Sequence, residues 1–149
     1  MRYQLIENEE ILLIAARSTQ LARRIPNGTP LHIAQAKEER FISLAVGHSI
    51  RTVQDRLFLL SGIQPEILLE SHNFEACRRL TLALGAVMLC PDAYVSRVPD
   101  LDLSEKLNAY PLLDGDMMRH FYLCCRRDMH FTRYMEDFLL ILRQELAQS

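Results

Sequence analysis

Short apolar runs alternate with stretches of helical periodicity along the first hundred residues. Four runs have the length and aliphatic content of buried strands, at 11–16, 41–46, 66–70 and 86–90. Between the last three runs, at 49–61 and 74–84, apolar residues recur every three or four positions, as on one face of a helix. Strands that alternate with helices through short connections predict an α/β domain with a mostly parallel sheet and helices on both faces.

Capping residues and glycines indicate where the predicted helices begin and end. Ser49 is expected to cap the first of the two helices, and Gly62 to end it. Asn73 and Gly85 are expected to do the same for the second. Pro91 is expected to open a further helix, because its missing N–H is harmless at the first helical position. The expected apolar stripe of the second helix consists of Phe74, Cys77, Leu80 and Leu84.

The pattern changes beyond residue 98. Residues 99–104 predict a loop, and two more strands are expected at 107–113 and 120–126. A helix is predicted from Thr132 onwards, with an apolar stripe of Met135, Phe138, Leu139, Leu142 and Leu146. Burying one apolar side chain stabilises a protein by about 1.5–3 kcal/mol, so leaving this stripe in water would cost several kcal/mol. We therefore expect the earlier part of the chain, or a second copy of it, to cover the stripe.

The composition is typical of a soluble globular protein. Hydrophobic residues make up 49% of the 149 residues and charged residues 24%. The net charge of −2 lacks the basic excess with which proteins neutralise nucleic-acid phosphates, so no direct DNA contact is expected. No apolar run approaches the roughly 20 residues of a membrane span. The polar, acidic N-terminus is unlike a secretory signal, so a cytoplasmic location without membrane contact is expected.

Motifs of catalysis and metal binding are missing from the sequence. The cysteines Cys77, Cys90, Cys124 and Cys125 form no CxxC pair, and we expect them to be buried free thiols in a reducing compartment. The five histidines add no metal-site spacing. No GxSxG motif, phosphate-binding loop or dinucleotide-binding glycine motif occurs. We therefore expect no enzyme activity, no metal and no cofactor.

Two loops that follow predicted strands have residues suited to hold a small ligand. Ligands of open α/β sheets bind at the carboxyl ends of strands, where helix N-termini present backbone N–H groups. Gly47 permits a close backbone approach, nearby N–H groups can hold an anion, and Arg51 can add a bidentate contact. A simpler interpretation of both loops is helix capping, with a surface Arg51 and an incidental His72. The candidate residues are Gly47, His48, Ser49, Arg51, Ser71, His72 and Asn73.

Short stretches form an ordered series along the chain. They lie at 9–16, 20–22, 29–35, 41–46, 62–67, 89–91 and 119–126, and the series also includes Arg51 with Asp55 and the final helix. In order and spacing they resemble the effector-binding domain of LysR-type transcriptional regulators, and the Gly-Ile-Gln-Pro-Glu-Ile stretch at 62–67 is the most specific local match. Two positions depart from the family pattern. Gln20 replaces a proline, and Gly85 lies between Leu84 and Ala86 where the family commonly has two glycines around one residue.

The resemblance implies a two-lobed sensor, similar to a type II periplasmic binding protein with a Rossmann-like second lobe. Residues 1–118 would build this lobe II, and residues 119–149 would return to lobe I, whose other parts and the DNA-binding domain are absent from this sequence. A small-molecule effector would bind in the cleft between the lobes and bias an oligomer on DNA. The loops that match 47–51 and 71–73 would contribute to that cleft, and the identity of the effector stays open.

Two other functions are compatible with the residues. The chain can be an oligomerisation fragment that binds no ligand, because the sensor domains of the family also self-associate. It can also be a small α/β enzyme without a familiar motif. A solute-binding protein of a transporter would share the fold, but it would need an export signal that the sequence does not show.

Overall fold

The computed structural model describes residues 1–96 and 105–148, which form two compact units. The sheet unit comprises Glu10–Met117, and the terminal unit comprises Met1–Glu9 and Met118–Ser149. The predicted assignment of residues 1–118 to lobe II and 119–149 to lobe I stays a prediction. The loop predicted at 99–104 lies outside the described residues.

The strands form a mixed sheet with a parallel centre. They are β1 (Arg2–Ala16), β2 (Phe41–Leu44), β3 (Ile67–Ser71), β4 (Val87–Pro91), β5 (Leu107–Pro111) and β6 (Met118–Cys125). Five of them follow the order β3-β2-β4-β1-β5, and β6 pairs with β1. Strand β2 is parallel to β3 and β4, whereas β1 is antiparallel to β4 and β5. Among these five, β1 alone runs against the common direction, which confirms the α/β class and its mostly parallel sheet.

The helices predicted at 49–61, at 74–84 and from Thr132 onwards are present with nearly the same bounds. The described helices are α1 (Gln20–Arg24), a 3-10 turn (Ile33–Ala36), α2 (Ser49–Ser61), α3 (Phe74–Ala83), α4 (Ala93–Ser96) and α5 (Arg133–Ala147). Gly62 ends α2 with a left-handed φ of 64°, and Asn73 caps α3, both as predicted. Ser49 was the wrong cap for α2, because the ring of His48 accepts the Ile50 N–H and Ser49 is already helical.

Pro91 ends β4 instead of opening a helix, and α4 begins two residues later. A proline is tolerated at this place because the next residue, Asp92, donates the hydrogen bond to the Glu10 carbonyl of β1 at 2.9 Å, and the pair of Pro91 with Ile11 needs no N–H from the proline. The predicted stripe of α3 also needs a correction. Leu84 is 44% exposed, whereas the buried residues of α3 are Cys77, Arg78 and Thr81.

The centre of the core of the sheet unit is formed by β2, β4 and the second half of β1, and buried side chains of the surrounding elements pack against them. Every residue of β2 and β4 is buried, as the continuous apolar runs predict. Phe41 is fully buried at the start of β2, and its ring meets that of Phe58 on α2 edge-on, with centroids 5.0 Å apart. Gln54 of α2 donates a 2.7 Å hydrogen bond to the Ser43 hydroxyl inside this core. Helix α2 is therefore held to β2 by both apolar and polar contacts.

Apolar side chains of the terminal unit lie at the surface of the described structure. Helix α5 begins after its cap Thr132, which agrees with the helix predicted from Thr132 onwards, and none of its residues is buried. Its most exposed large apolar side chains are Tyr134, Phe138, Leu140 and Ile141. On β6, Cys124 is exposed and Cys125 is half-buried, which corrects the expectation that both are buried, whereas Cys77 and Cys90 are buried free thiols. None of the described helices is long and apolar enough to cross a membrane.

Candidate functional site

The two loops singled out in the sequence lie side by side in the structure. Strands β2 and β3 are parallel neighbours, with Leu44 opposite Ser71. The Ala45 N–H donates a 3.0 Å hydrogen bond to the Ser71 carbonyl, so the chain leaves both strands at the same edge of the sheet. We call residues 45–49 the first loop and residues 71–73 the second loop. Their ligand-binding role stays a prediction.

The first loop brings the N-terminus of α2 to this edge. Gly47 has φ +99°, a left-handed value that side chains disfavour, and a Cβ atom built there would meet no heavy atom within 4 Å. The His48 Nδ1 accepts the Ile50 N–H at 3.3 Å, and no acidic residue lies in the first turn of α2. The positive end of the helix dipole is therefore not offset by an acidic side chain within that turn, which favours an anionic group nearby.

Arg51 connects α2 to both strands. Its Nε donates to Asp55 and its Nη1 to Glu70, both at 2.8 Å, and Nη1 also donates to the Leu44 carbonyl at 3.1 Å. The hydrogen bond to Asp55 is the main cause that raises the pKa of Arg51 further above its usual value. Its side chain is only 15% exposed. Two carboxylates therefore match the charge of Arg51, and its predicted contact with a ligand stays a prediction.

The second loop is built from hydrogen bonds that cap α3. The Ser71 hydroxyl accepts the Asn73 N–H at 3.1 Å, and the Asn73 side chain accepts the Ala76 N–H at 3.0 Å. His72 is exposed between them. Below the loop, the Cys77 thiol points to the carbonyls of Ser43 and Ser71 at 3.6 and 3.9 Å. Burial raises the pKa of the Cys77 thiol, which keeps it protonated and unreactive.

A third segment, which no sequence motif indicated, reaches the same edge. Strand β4 is parallel to β2, so its end at Pro91 and the following residues 92–96 lie at the edge of the first two loops. Arg78 of α3 is 2% exposed and donates from Nη1 to the Tyr94 carbonyl at 3.0 Å. The Tyr94 ring packs against Phe74, with centroids 4.3 Å apart and planes 41° apart. The sequence offered one signal for this contact, the Glu75–Arg78 pair at i, i+3.

Glu75 anchors the guanidinium of Arg78. Two hydrogen bonds join them, from Nε at 3.0 Å and from Nη2 at 2.9 Å. Arg79 adds a bond to the same carboxylate at 2.9 Å, although its own side chain is 71% exposed. The Arg78 hydrogen bond is the main cause that lowers the pKa of Glu75, so this carboxylate stays ionised and paired near neutral pH.

The chemistry of this edge is suited to binding. Within residues 1–96 and 105–148, no three His, Cys, Asp or Glu side chains are grouped so that they can hold a metal ion. The Ser71 hydroxyl accepts the Asn73 N–H, the His48 ring accepts the Ile50 N–H, and the imidazole of His72 is exposed. Such groups orient a small polar molecule through hydrogen bonds.

Solved structures with the same fold include ligand-bound and DNA-bound proteins. The CcmR regulatory domain of Synechocystis PCC6803 in complex with 2-PG has a TM-score of 0.76 and 17% identity, over 97% of this chain and 66% of that one. The BenM effector binding domain with its effector benzoate has a TM-score of 0.69 and 20% identity, over 99% and 64%. Full-length CbnR complexed with its target DNA has a TM-score of 0.68 and 19% identity, over 97% and 48%. These likenesses concern the fold.

The chain spans slightly less than two thirds of the ligand-bound domains to which it is similar, 66% and 64% of their lengths. No curated protein sequence matches it. A family model described as the LysR substrate binding domain matches residues 1–147. This match covers nearly the whole chain, and it agrees with the motif order and the fold. The chain therefore belongs to the LysR substrate-binding domain family.

Proposed function

We propose that this chain is the ligand-sensing part of a LysR-type transcriptional regulator and binds a small-molecule effector with its first and second loops. The observation that carries the proposal is the hydrogen bond between Ala45 and Ser71, which joins the two loops at the carboxyl ends of adjacent parallel strands. The structures of similar fold support it, since the BenM domain was solved with its effector benzoate and the CcmR domain with 2-PG. A separate part of the regulator would read the DNA, which implies a cytoplasmic location.

The proposed ligand is a small anion. The N-termini of α2 and α3 lie at the same edge of the sheet. The first turn of α2 has no carboxylate that would repel a negative group, and Glu75 in the first turn of α3 is paired with Arg78 and Arg79. Gly47 allows such a group to approach the backbone amides of the first loop. The family role and the protonated, buried Cys77 favour a binding module over the alternative of a small enzyme.

A thermal-shift screen of the 149-residue chain tests this proposal. The panel comprises benzoate and other small carboxylates, amino acids and phosphorylated acids, with sodium chloride at matched ionic strength as the control. A ligand at about 100 times its Kd stabilises the native state by roughly 2.7 kcal/mol. For a domain of this size we expect the Tm to rise by about 5–10 °C with at least one compound. A cooperatively melting chain whose Tm no compound raises would refute the proposal.

Self-association through α5 is a second proposed property. Phe138 is 62% exposed and Ile141 57% exposed on this helix. A second copy of the chain that covers such side chains gains about 25 cal/mol for each Å² of apolar surface removed from water.

Sedimentation velocity at about 100 μM measures this association. We expect the chain to sediment as a dimer or a larger species, and F138E and I141E to sediment as monomers because each places a charge in the apolar contact. L113E is the matched control, since Leu113 is 54% exposed but lies in the sheet unit. A monomeric parent chain, or an equal effect of L113E, would contradict this role of α5.

A further inference from the structure

We infer that Arg78 is a positioning residue that holds residues 92–96 in place, so that Tyr94 forms a third wall of the proposed binding edge. This inference rests on the proposed function and adds two residues that neither the sequence motifs nor the first two loops include. Arg78 would act through Tyr94 and make no ligand contact itself, because its side chain is buried.

The guanidinium has a geometry that few side chains can provide. Nε and Nη2 bind the Glu75 carboxylate at 3.0 and 2.9 Å, while Nη1 binds the Tyr94 carbonyl at 3.0 Å. The planar fork of arginine presents N–H donors in fixed directions, so it can bind a carboxylate on one side and a carbonyl on another at the same time. Helix α3 is thus joined to the backbone that follows β4 through one side chain.

The Arg78–Glu75 ion pair differs from an ordinary surface ion pair because the Arg78 side chain is buried. Arg78 has a side chain that is 3% exposed, whereas the side chain of Arg79, which binds the same carboxylate, is 71% exposed. An exposed ion pair contributes little to stability, but a buried charge is costly unless each of its donors finds a partner. The Tyr94 carbonyl, within residues 92–96, is such a partner, and the same hydrogen bond holds this segment in place.

Tyr94 connects the hydrogen bond from Arg78 to the proposed binding edge. Phe74 directly follows Asn73 of the second loop, and its ring contacts the Tyr94 ring. The first turn of α3 therefore connects the second loop to the third segment. Tyr94 remains 41% exposed, so its aromatic ring is accessible at the edge. A planar or apolar part of the effector can pack on this ring while its anionic group lies near the start of α2.

A single tryptophan can report on this segment, because the chain contains none. We would introduce Y94W and measure the quenching of its fluorescence by acrylamide in three backgrounds: Arg78 intact, R78M and R79M. Loss of the Arg78 bonds should release residues 92–96 and raise the quenching constant at least twofold. R79M is the matched control, since it removes the exposed partner of Glu75 and should leave quenching unchanged.

Two further measurements keep the test decisive. If R78M does not fold, R78K replaces it, and we expect a smaller rise, because an ammonium group cannot serve both acceptors in the same geometry. With Tyr94 intact, R78M should also reduce the Tm shift from the panel compounds, and R79M should not. Unchanged quenching in a folded Arg78 variant overturns the inference, as does higher quenching with undiminished ligand shifts. If no compound shifts the parent chain, the proposed function fails, and the quenching alone decides whether Arg78 holds Tyr94.

Discussion

Replacement of Phe41 by alanine is expected to lower the free energy of unfolding by about 3–5 kcal/mol, the largest effect we predict for a single residue. Phe41 is fully buried, it pairs with strands on both sides, and its ring packs edge-on against Phe58 of α2. The substitution removes this contact and leaves a cavity at the start of β2. Because β2 and α2 carry the first loop, binding of any panel compound should weaken as well.

Urea denaturation followed by circular dichroism measures the loss. F121A is the matched control, because it makes the same chemical change on β6, where Phe121 is 40% exposed. We expect it to cost less than about 1 kcal/mol, as surface substitutions do. An equal loss of unfolding free energy in the two variants would show that the stability of the chain does not depend on the β2–α2 core.

The continuous apolar runs predicted β2 and β4 because both strands are buried along their whole length. The first strand is longer than its apolar run 11–16, since β1 extends back to Arg2. Its first half contains no continuous apolar run and pairs with β6, more than 100 residues away in the sequence. The antiparallel direction of β1 also depends on pairing with residues far away in the sequence, those of β4 and β5. This strand lies between β4 and β5 and not beside β2, and no local pattern specifies that order.

The two loops could be predicted because a general rule assigns ligands to the carboxyl ends of parallel strands. The environment of their side chains could not be predicted in the same way. Arg51 had the sequence context of a free cation, yet the fold pairs it with Asp55 and Glu70. Arg78 lies outside the apolar stripe expected for α3, although it is among the most buried residues of that helix. Burial of a charge depends on partners from other elements, such as the Tyr94 carbonyl.

Replacement of Gly47 by alanine should abolish most ligand binding while the fold is kept. At φ +99° an L-residue is strained, and the expected cost in stability is about 1–2 kcal/mol. A Cβ atom would meet no protein atom, so it would point into open space beside the first loop. The added methyl group, or a backbone shift that relieves the strain, would change the place where an anion meets the loop amides. We expect at least a tenfold rise in the Kd of any panel compound that binds, measured by titration calorimetry.

Gly28 provides a control, because it also has a positive φ but lies away from the first and second loops. It has φ +82°, a Cβ atom there would also meet nothing, and its N–H binds the Ala109 carbonyl of β5. Strand β5 lies at the opposite end of the strand order from β3. G28A should therefore introduce a similar backbone strain and leave the first and second loops unchanged. If both variants lose equal stability and only G47A loses binding, the ligand contacts the first loop. If G47A binds as tightly as the parent chain, the first loop is only a helix cap and the effector must bind elsewhere.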